Sequence, residues 1–172
     1  MAEIKVSAIV STYNSERFIR GCLEDLISQT LYEKGELEII VINSGSEQDE
    51  DSIIKEFHEK YQNIKYLKTE HREGVYTAWN RGIKAASGKF ITNANTDDRH
   101  RFTALEIMSD SLIENEKISV VYADSKVTKY ENQTFKEAKI NGLFFWPEYN
   151  KENLFRICYL GPQPMWRKHL HD

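Results

Sequence analysis

Short apolar runs alternate with amphipathic stretches along most of the chain. Residues 6–10 (Val-Ser-Ala-Ile-Val) form a strand-length run, followed by polar Ser11-Thr12-Tyr13-Asn14-Ser15. This pattern predicts a buried strand ending in a loop. Asn14 or Ser15 is placed to cap a helix, because a short side-chain oxygen satisfies free first-turn amides. Phe18, Ile19, Cys22, Leu23, Leu26 and Ile27 then recur at helical spacing. Residues 38–42 predict a second strand, broken by Asn43-Ser44-Gly45-Ser46. The acidic run 47–51 reads as the solvated start of the next helix, where negative charge suits the positive end of the dipole. A third strand is predicted over 64–67. Val75, Ala78, Trp79, Gly82, Ile83 and Ala86 then share one helical face, in a helix closing near Gly88. Residues 90–92 predict a fourth strand running into Asn95-Thr96-Asp97-Asp98, 104–113 a helix and 118–122 a fifth strand. Beyond Asp124 only 126–130 has strand character, and the remainder is aromatic without a clear period.

Strand and helix alternating in this way imply an α/β fold, a mostly parallel sheet flanked by helices on both faces. In such sheets ligands sit beyond the carboxyl ends of the strands, near the point where strand order reverses. Three of those ends are polar here: Ser11 to Asn14, Asn43 to Ser46 and Asn95 to Asp98. Composition narrows the function classes. The length of 172 residues suits one domain, and 40% hydrophobic with 29% charged residues excludes wholesale disorder. A net charge of -4 offers no electrostatic grip on nucleic acid or anionic lipid. Cys22 and Cys158 make no disulfide framework and no zinc motif. The first residues lack the pattern of a signal peptide, and no apolar run has the length of a transmembrane segment. The expectation is a soluble protein of a reducing compartment.

The candidate chemistry is that of polar loops. The chain has neither G-x-G-x-x-G after its first strand nor a G-x-x-x-x-G-K-[ST] loop, which argues against dinucleotide-binding and phosphate-loop readings. Asp97 and Asp98, adjacent at a strand end, could hold a hard divalent cation on substrate phosphates. They could equally be loop residues, with Asp98 capping the following helix. Tyr13 with Thr12 and Asn14 offers a ring for a base and polar groups for a ribose, or simply a cap and a tyrosine at the core edge. Arg72 and Arg99 could meet phosphate oxygens or lie solvated on the surface. Trp79 reads as core. His169 and His171 alternate as ligands on a strand would, on weak evidence.

Together, and in this order, these pieces resemble the family 2 glycosyltransferases of the glycosyltransferase-A fold, a nucleotide-diphospho-sugar transferase type. Residues 6–14, VSAIVSTYN, resemble that family's opening strand and nucleotide loop, and 38–46, EIIVINSGS, its second element. Residues 74–83 look like its G-x-x-x-A-x-N-x-G helix, and 88–98 like the strand before its metal-binding acidic motif. Residues 161–168 are similar to its acceptor-side segment. The resemblance implies a transferase that moves a sugar from a nucleotide diphosphate donor, with a UDP-sugar favoured, to a hydroxyl acceptor with inversion. The acceptor would be a glycan or lipid-linked glycan in bacterial-type polysaccharide or glycoconjugate synthesis. It would make Ser11, Thr12, Tyr13 and Asn14 contacts for base and ribose, Asn43 and Ser44 contacts for the base edge, and Arg72 a phosphate contact. Asp97 and Asp98 would hold Mg2+ or Mn2+ on the diphosphate, assisted by Asn95. Residues 1–124 would be the nucleotide-binding part of one domain spanning 1–172, and 125–172 the start of an acceptor-side part. The catalytic base would lie beyond Asp172, so the chain is expected to be truncated at its C-terminal end and not to transfer sugar by itself. The setting implied is cytoplasmic, including the cytoplasmic face of a membrane. Asn43 and Ser44 stand where the family has paired acids, Asn95 where an acid is common and Ser11 where proline is usual. An amide accepts less strongly than a carboxylate from a uracil imide, which keeps a second reading open, a non-catalytic nucleotide-sugar-binding domain.

Overall fold

The structure is a computed structural model that describes residues 3–172. Its first two thirds follow the alternation of the sequence: β1 (Val6–Thr12), α1 (Glu16–Ile27), α2 (Thr30–Glu33), β2 (Leu37–Ser44), α3 (Glu50–Lys60), β3 (Ile64–Thr69), α4 (Val75–Ala85), β4 (Phe90–Asn93) and α5 (Ala104–Glu114). The last third holds β5 (Val120–Val121), β6 (Ser125–Thr128), β7 (Ile140–Phe144), α6 (Lys151–Leu154) and β8 (Met165–Arg167). The main sheet has the order β3-β2-β1-β4-β8-β5, while β6 and β7 pair only with each other. β1, β2, β3 and β4 run parallel, and β8 lies antiparallel between β4 and β5. It is an α/β fold with a mostly parallel sheet.

The period of two along β1 decides which helix covers which face. Val6, Ala8 and Val10, with Ile39 and Val41 of β2, pack against Ile19, Leu23 and Leu26 of α1 and Ile54 and Phe57 of α3. Ile9, Ile40, Ile42 and Ile91 point the other way, onto Ala78 and Ile83 of α4. Each of the valine, leucine, isoleucine and phenylalanine side chains among them contributes about 2 kcal/mol, and together they hold the strand ends in place. After β3 the chain crosses by α4 to the other side of β1, so β1 and β4 flank the point where strand order reverses.

Several boundaries differ from the sequence reading. β2 runs through Asn43 and Ser44, because the ladders continue as Thr12↔Asn43 and Ser44↔Thr69, and the break comes at Gly45. α4 closes at Ala85 rather than near Gly88. Gly88 answers a close approach instead: a Cβ there would lie 2.8 Å from the Ser7 amide nitrogen. Val75, at the first turn of α4, is exposed rather than on the core face. Ser15 stands at the N-cap of α1 without a side-chain cap bond. Its own amide donates to Glu50 Oε1 at 2.6 Å, so the help comes from a distant helix. β5 is only two residues long because its pairing is limited to Trp166 and Met165 of β8. Among the described residues, no helix is long and apolar enough to cross a membrane.

Candidate functional site

The carboxyl ends of β1 and β2 are knotted together by one buried carboxylate. Glu50, in the first turn of α3, is fully buried. Its Oε1 accepts from Thr12 Oγ1 at 3.2 Å, the Ser15 amide at 2.6 Å and Ser46 Oγ at 2.9 Å. Its Oε2 is buried with no hydrogen-bond partner. The acidic run 47–51 is therefore not simply a solvated helix start. Glu50 falls on the same helical face as buried Ile54 and Phe57, and that i, i+4, i+7 spacing was the available signal. Asp51 is also engaged. Hydrogen bonds from Lys55 and Tyr66, reinforced by Lys68, hold its carboxyl far below the usual aspartate range against a smaller opposing effect of burial.

The loop after β1 presents its residues unequally. Ser11 Oγ accepts from Trp79 Nε1 at 3.1 Å. Asn14 adopts a left-handed conformation (φ 51), and its Oδ1 accepts from the Glu47 amide at 2.9 Å. The Tyr13 ring lies under the Arg72 guanidinium, 4.4 Å from its carbon to the ring centroid, a cation–π distance. No carboxylate pairs with Arg72 among the described residues. The structure thus brings Tyr13 and Arg72 together at the rim.

Asn43 and Ser44 sit deeper than an exposed base edge, at 1% and 3% exposure. Asn43 Oδ1 accepts from the Ser46 amide at 3.0 Å, and its Nδ2 donates to the Tyr66 hydroxyl at 3.2 Å. Ser44 Oγ donates to the Glu73 carbonyl at 3.1 Å and accepts from the Glu73 amide at 2.7 Å. Ser44 ties the end of β2 to the loop carrying Arg72, and Asn43 ties the turn after β2 to Tyr66 of β3. Gly45 (φ 64) permits the seating, since a Cβ there would lie 2.8 Å from the Arg72 amide nitrogen.

The acidic turn follows β4. Asp97 is exposed and Asp98 partly buried. Burial pushes the Asp98 carboxyl up; a hydrogen bond from Asn95 opposes this and the charge of Asp97 adds to it. Asn95 Nδ2 donates to Asp98 Oδ2 at 2.9 Å, and Asn95 Oδ1 accepts from Asn93 Nδ2 at 3.3 Å. The Asn95 amide braces Asp98 and the segment at Pro162, whose carbonyl accepts from Asn93 at 2.8 Å and Asn95 at 3.2 Å. Asp98 does not cap α5, whose N-cap is Thr103. Arg99 is turned inward onto carbonyl oxygens.

The residues here suit a hard divalent cation of partial protein ligation. No cluster of three or more His, Cys, Asp or Glu side chains exists among the described residues. Two adjacent carboxylates nonetheless offer hard oxygen donors, and a cation would offset the penalty that burial places on the Asp98 charge. The rest of the shell would fall to substrate and water oxygens. His171 Nε2 instead accepts from Trp166 Nε1 at 2.7 Å. A cavity of about 770 Å3 opens beside the acidic turn, lined in part by Asp97, Asp98, His100, Asn132, Trp146 and Pro162. Its far wall is the β6–β7 hairpin, whose first strand overlaps the one expected over 126–130 and whose second carries no period that the sequence made readable.

The profile of the family described as "Glycosyl transferase family 2" matches residues 7–164. Glycosyltransferase GlyA of Streptococcus pneumoniae serotype 4 is 32% identical over 146 residues, covering 85% of this chain and 19% of that protein. The crystal structure of S. aureus TarS 1-349 in complex with UDP is similar over 69% of this chain and 35% of that one, with a TM-score of 0.63 and 28% identity. The mannosyltransferase PcManGT from Pyrobaculum calidifontis, in complex with GDP-Man and Mn2+, shares the fold over 99% of this chain and 46% of that one, with a TM-score of 0.72 and 18% identity. The chain spans less than half the length of each of these proteins.

Proposed function

This chain belongs to glycosyl transferase family 2, and we propose that it binds a nucleotide diphosphate sugar for inverting transfer of the sugar to a hydroxyl acceptor. One observation carries this reading. Tyr13 and Arg72, which pair, and the Asp97–Asp98 turn all lie in loops that follow the carboxyl ends of parallel strands, at the side where strand order reverses between β1 and β4. Tyr13 would stack on the base and Arg72 would meet a phosphate oxygen, while Ser11, Thr12 and Asn14 shape the loop around the ribose. Asn43 and Ser44 would act on the base through the turn they hold, with uracil favoured from the UDP complex of TarS. Asp97 and Asp98 would hold Mg2+ or Mn2+, steadied by Asn95. When bound, that ion would neutralise charge developing on the diphosphate leaving group. An acceptor alcohol needs a base to take its proton, and none of the residues placed here is given that role. In this reading residues 1–124 bind the nucleotide and 125–172 begin the acceptor side. The acceptor would be a glycan or lipid-linked glycan of bacterial-type polysaccharide or glycoconjugate synthesis, handled in the cytoplasm or at the cytoplasmic face of a membrane.

The replacement of acids by Asn43 and Ser44 favours a second reading, a nucleotide-sugar-binding domain without catalysis. Calorimetry with UDP and GDP, each with and without Mn2+, tests the shared part. Binding should need Mn2+ and weaken at least about tenfold in Asp98→Ala, about 1.4 kcal/mol. Nucleotide binding that ignores both the metal and the acidic pair would overturn the assignment. Donor hydrolysis lost in Asp98→Ala would favour the enzyme over the binding domain.

A further inference from the structure

Arg99 directly follows the acidic pair, yet its guanidinium is spent on the protein. Nη1 donates to the carbonyls of Thr96 at 2.8 Å and Asp98 at 2.6 Å. Nη2 donates to the Phe18 carbonyl at 3.3 Å and to Asn132 Oδ1 at 2.8 Å. Asn132, in the loop between β6 and β7, also donates from Nδ2 to the Arg17 carbonyl at 2.8 Å. One planar fork therefore spans the acidic turn, α1 and the hairpin. Helix α1 makes room for it with a glycine in its interior: a Cβ on Gly21 would lie 2.4 Å from Arg99 Nη2. Glycine is a costly choice inside a helix, and here the guanidinium occupies the space a side chain would take. The next residue repeats the attachment. The His100 amide donates to both oxygens of Asp25, at 3.1 and 3.0 Å, and its Nδ1 lies 2.8 Å from Asp25 Oδ2.

Beyond these bonds and an exposed Arg17–Glu131 ion pair at 3.3 Å, the hairpin has little to hold it. Neither β6 nor β7 pairs with the main sheet, and Val127, Ile140, Leu143 and Phe144 are exposed. Few buried contacts and exposed ladders mark a segment of low local stability. Both ends of the Arg99–Asn132 bond line the cavity beside Asp97 and Asp98.

We propose that Arg99 is a positioning residue which, through Asn132, couples closure of the β6–β7 hairpin over the cavity to the geometry of the Asp97–Asp98 turn. Seating the acceptor-side wall and ordering the acidic pair then become one event, with Gly21 and Asn132 as parts of the same device. Only the consequence for cation binding rests on the proposed role of the acidic pair; the coupling itself stands on the hydrogen bonds. Lysine cannot replace the fork, because a single ammonium cannot reach the three carbonyls and Asn132 together. Asn132 has φ 56, a conformation glycine adopts freely, so Asn132→Gly removes the side chain and spares the backbone. Asn132→Asp keeps an oxygen for Arg99.

Hydrogen exchange on the whole chain tests this without metal or activity. Arg99→Lys and Asn132→Gly should each speed exchange about tenfold in residues 95–103 and in 129–142, with residues 37–44 unchanged. Asn132→Asp should restore protection in the acidic turn. Mn2+ affinity in the presence of UDP should fall several-fold in Arg99→Lys and Asn132→Gly and recover in Asn132→Asp. Should Arg99→Lys fail to fold, Asn132→Gly, in an exposed turn, carries the test. Faster exchange confined to the hairpin, with the acidic turn unmoved in Asn132→Gly, would overturn the coupling. Absent Mn2+ binding in the unaltered chain would overturn the metal assignment, and exchange would still decide the coupling.

Discussion

Tyr13 meets its charged neighbour, Arg72, with a ring face. The ring is held beneath Arg72, whose loop is tied to buried Ser44 through Glu73. Stacking of a base on an aromatic ring is worth about 1–3 kcal/mol. Tyr13→Ala should therefore weaken UDP binding about tenfold or more by calorimetry, while Tyr13→Phe stays near the unaltered affinity. Equal losses in both variants would mean that the hydroxyl, not the ring, makes the contact. The same scale shows how a side chain's partners decide its role. Arg72 and Arg99 are alike as letters, yet one faces the rim and the other is consumed by carbonyls.

Among the elements, β2 is held in register by Glu38 in addition to its apolar ladder. Glu38 is buried at the far end of the sheet from the site. It accepts from Ser7 Oγ of β1 and from the amides of Ser87 and Gly88 before β4, and it pairs with Lys65 of β3. Burial raises its carboxyl pKa, but Lys65, Ser7 and Ser87 together outweigh that and leave it below the usual range. A carboxyl lowered in the folded state stabilises fully above its unfolded pKa, about 4.3 for glutamate, and that stability is lost as pH falls through the folded value. Asp51 acts in the same direction through Lys55, Tyr66 and Lys68. Chemical denaturation should show stability falling below about pH 4, with a smaller fall in Glu38→Gln. At neutral pH Glu38→Gln should cost about 2 kcal/mol, the scale of hydrogen bonds to a buried charge. An unchanged pH profile in that variant would remove Glu38 from this role.

Across the whole molecule, one packed core joins α1, α3 and α5 to a face of the sheet, and a smaller one lies under α4. Cys22 reports on the larger core. Burial pushes its thiol up to about 12, with Arg99 opposing, whereas Cys158 is exposed. Maleimide should label Cys158 rapidly and reach Cys22 only as the core unfolds, because the thiolate is the reactive form. Rapid labelling of both in the native protein would show that the core opens readily. What could be read from the chain alone has one physical character. Periods of two and 3.6 recorded the strands β1 and β2 and the inward faces of α1 and, apart from Val75, α4, since each choice is local and repeats along its own element. The polar strand ends marked the candidate site for the same reason. Three other features come from residues far apart in the chain. β8 enters antiparallel between β4 and β5, some seventy residues beyond β4. Glu50 turns inward because Thr12 and Ser15 await it, and Arg99 because Gly21 leaves room and Asn132 supplies an oxygen. A hydrogen bond has no period in sequence, so the partners of a buried charge were decided only when the folded chain brought them together.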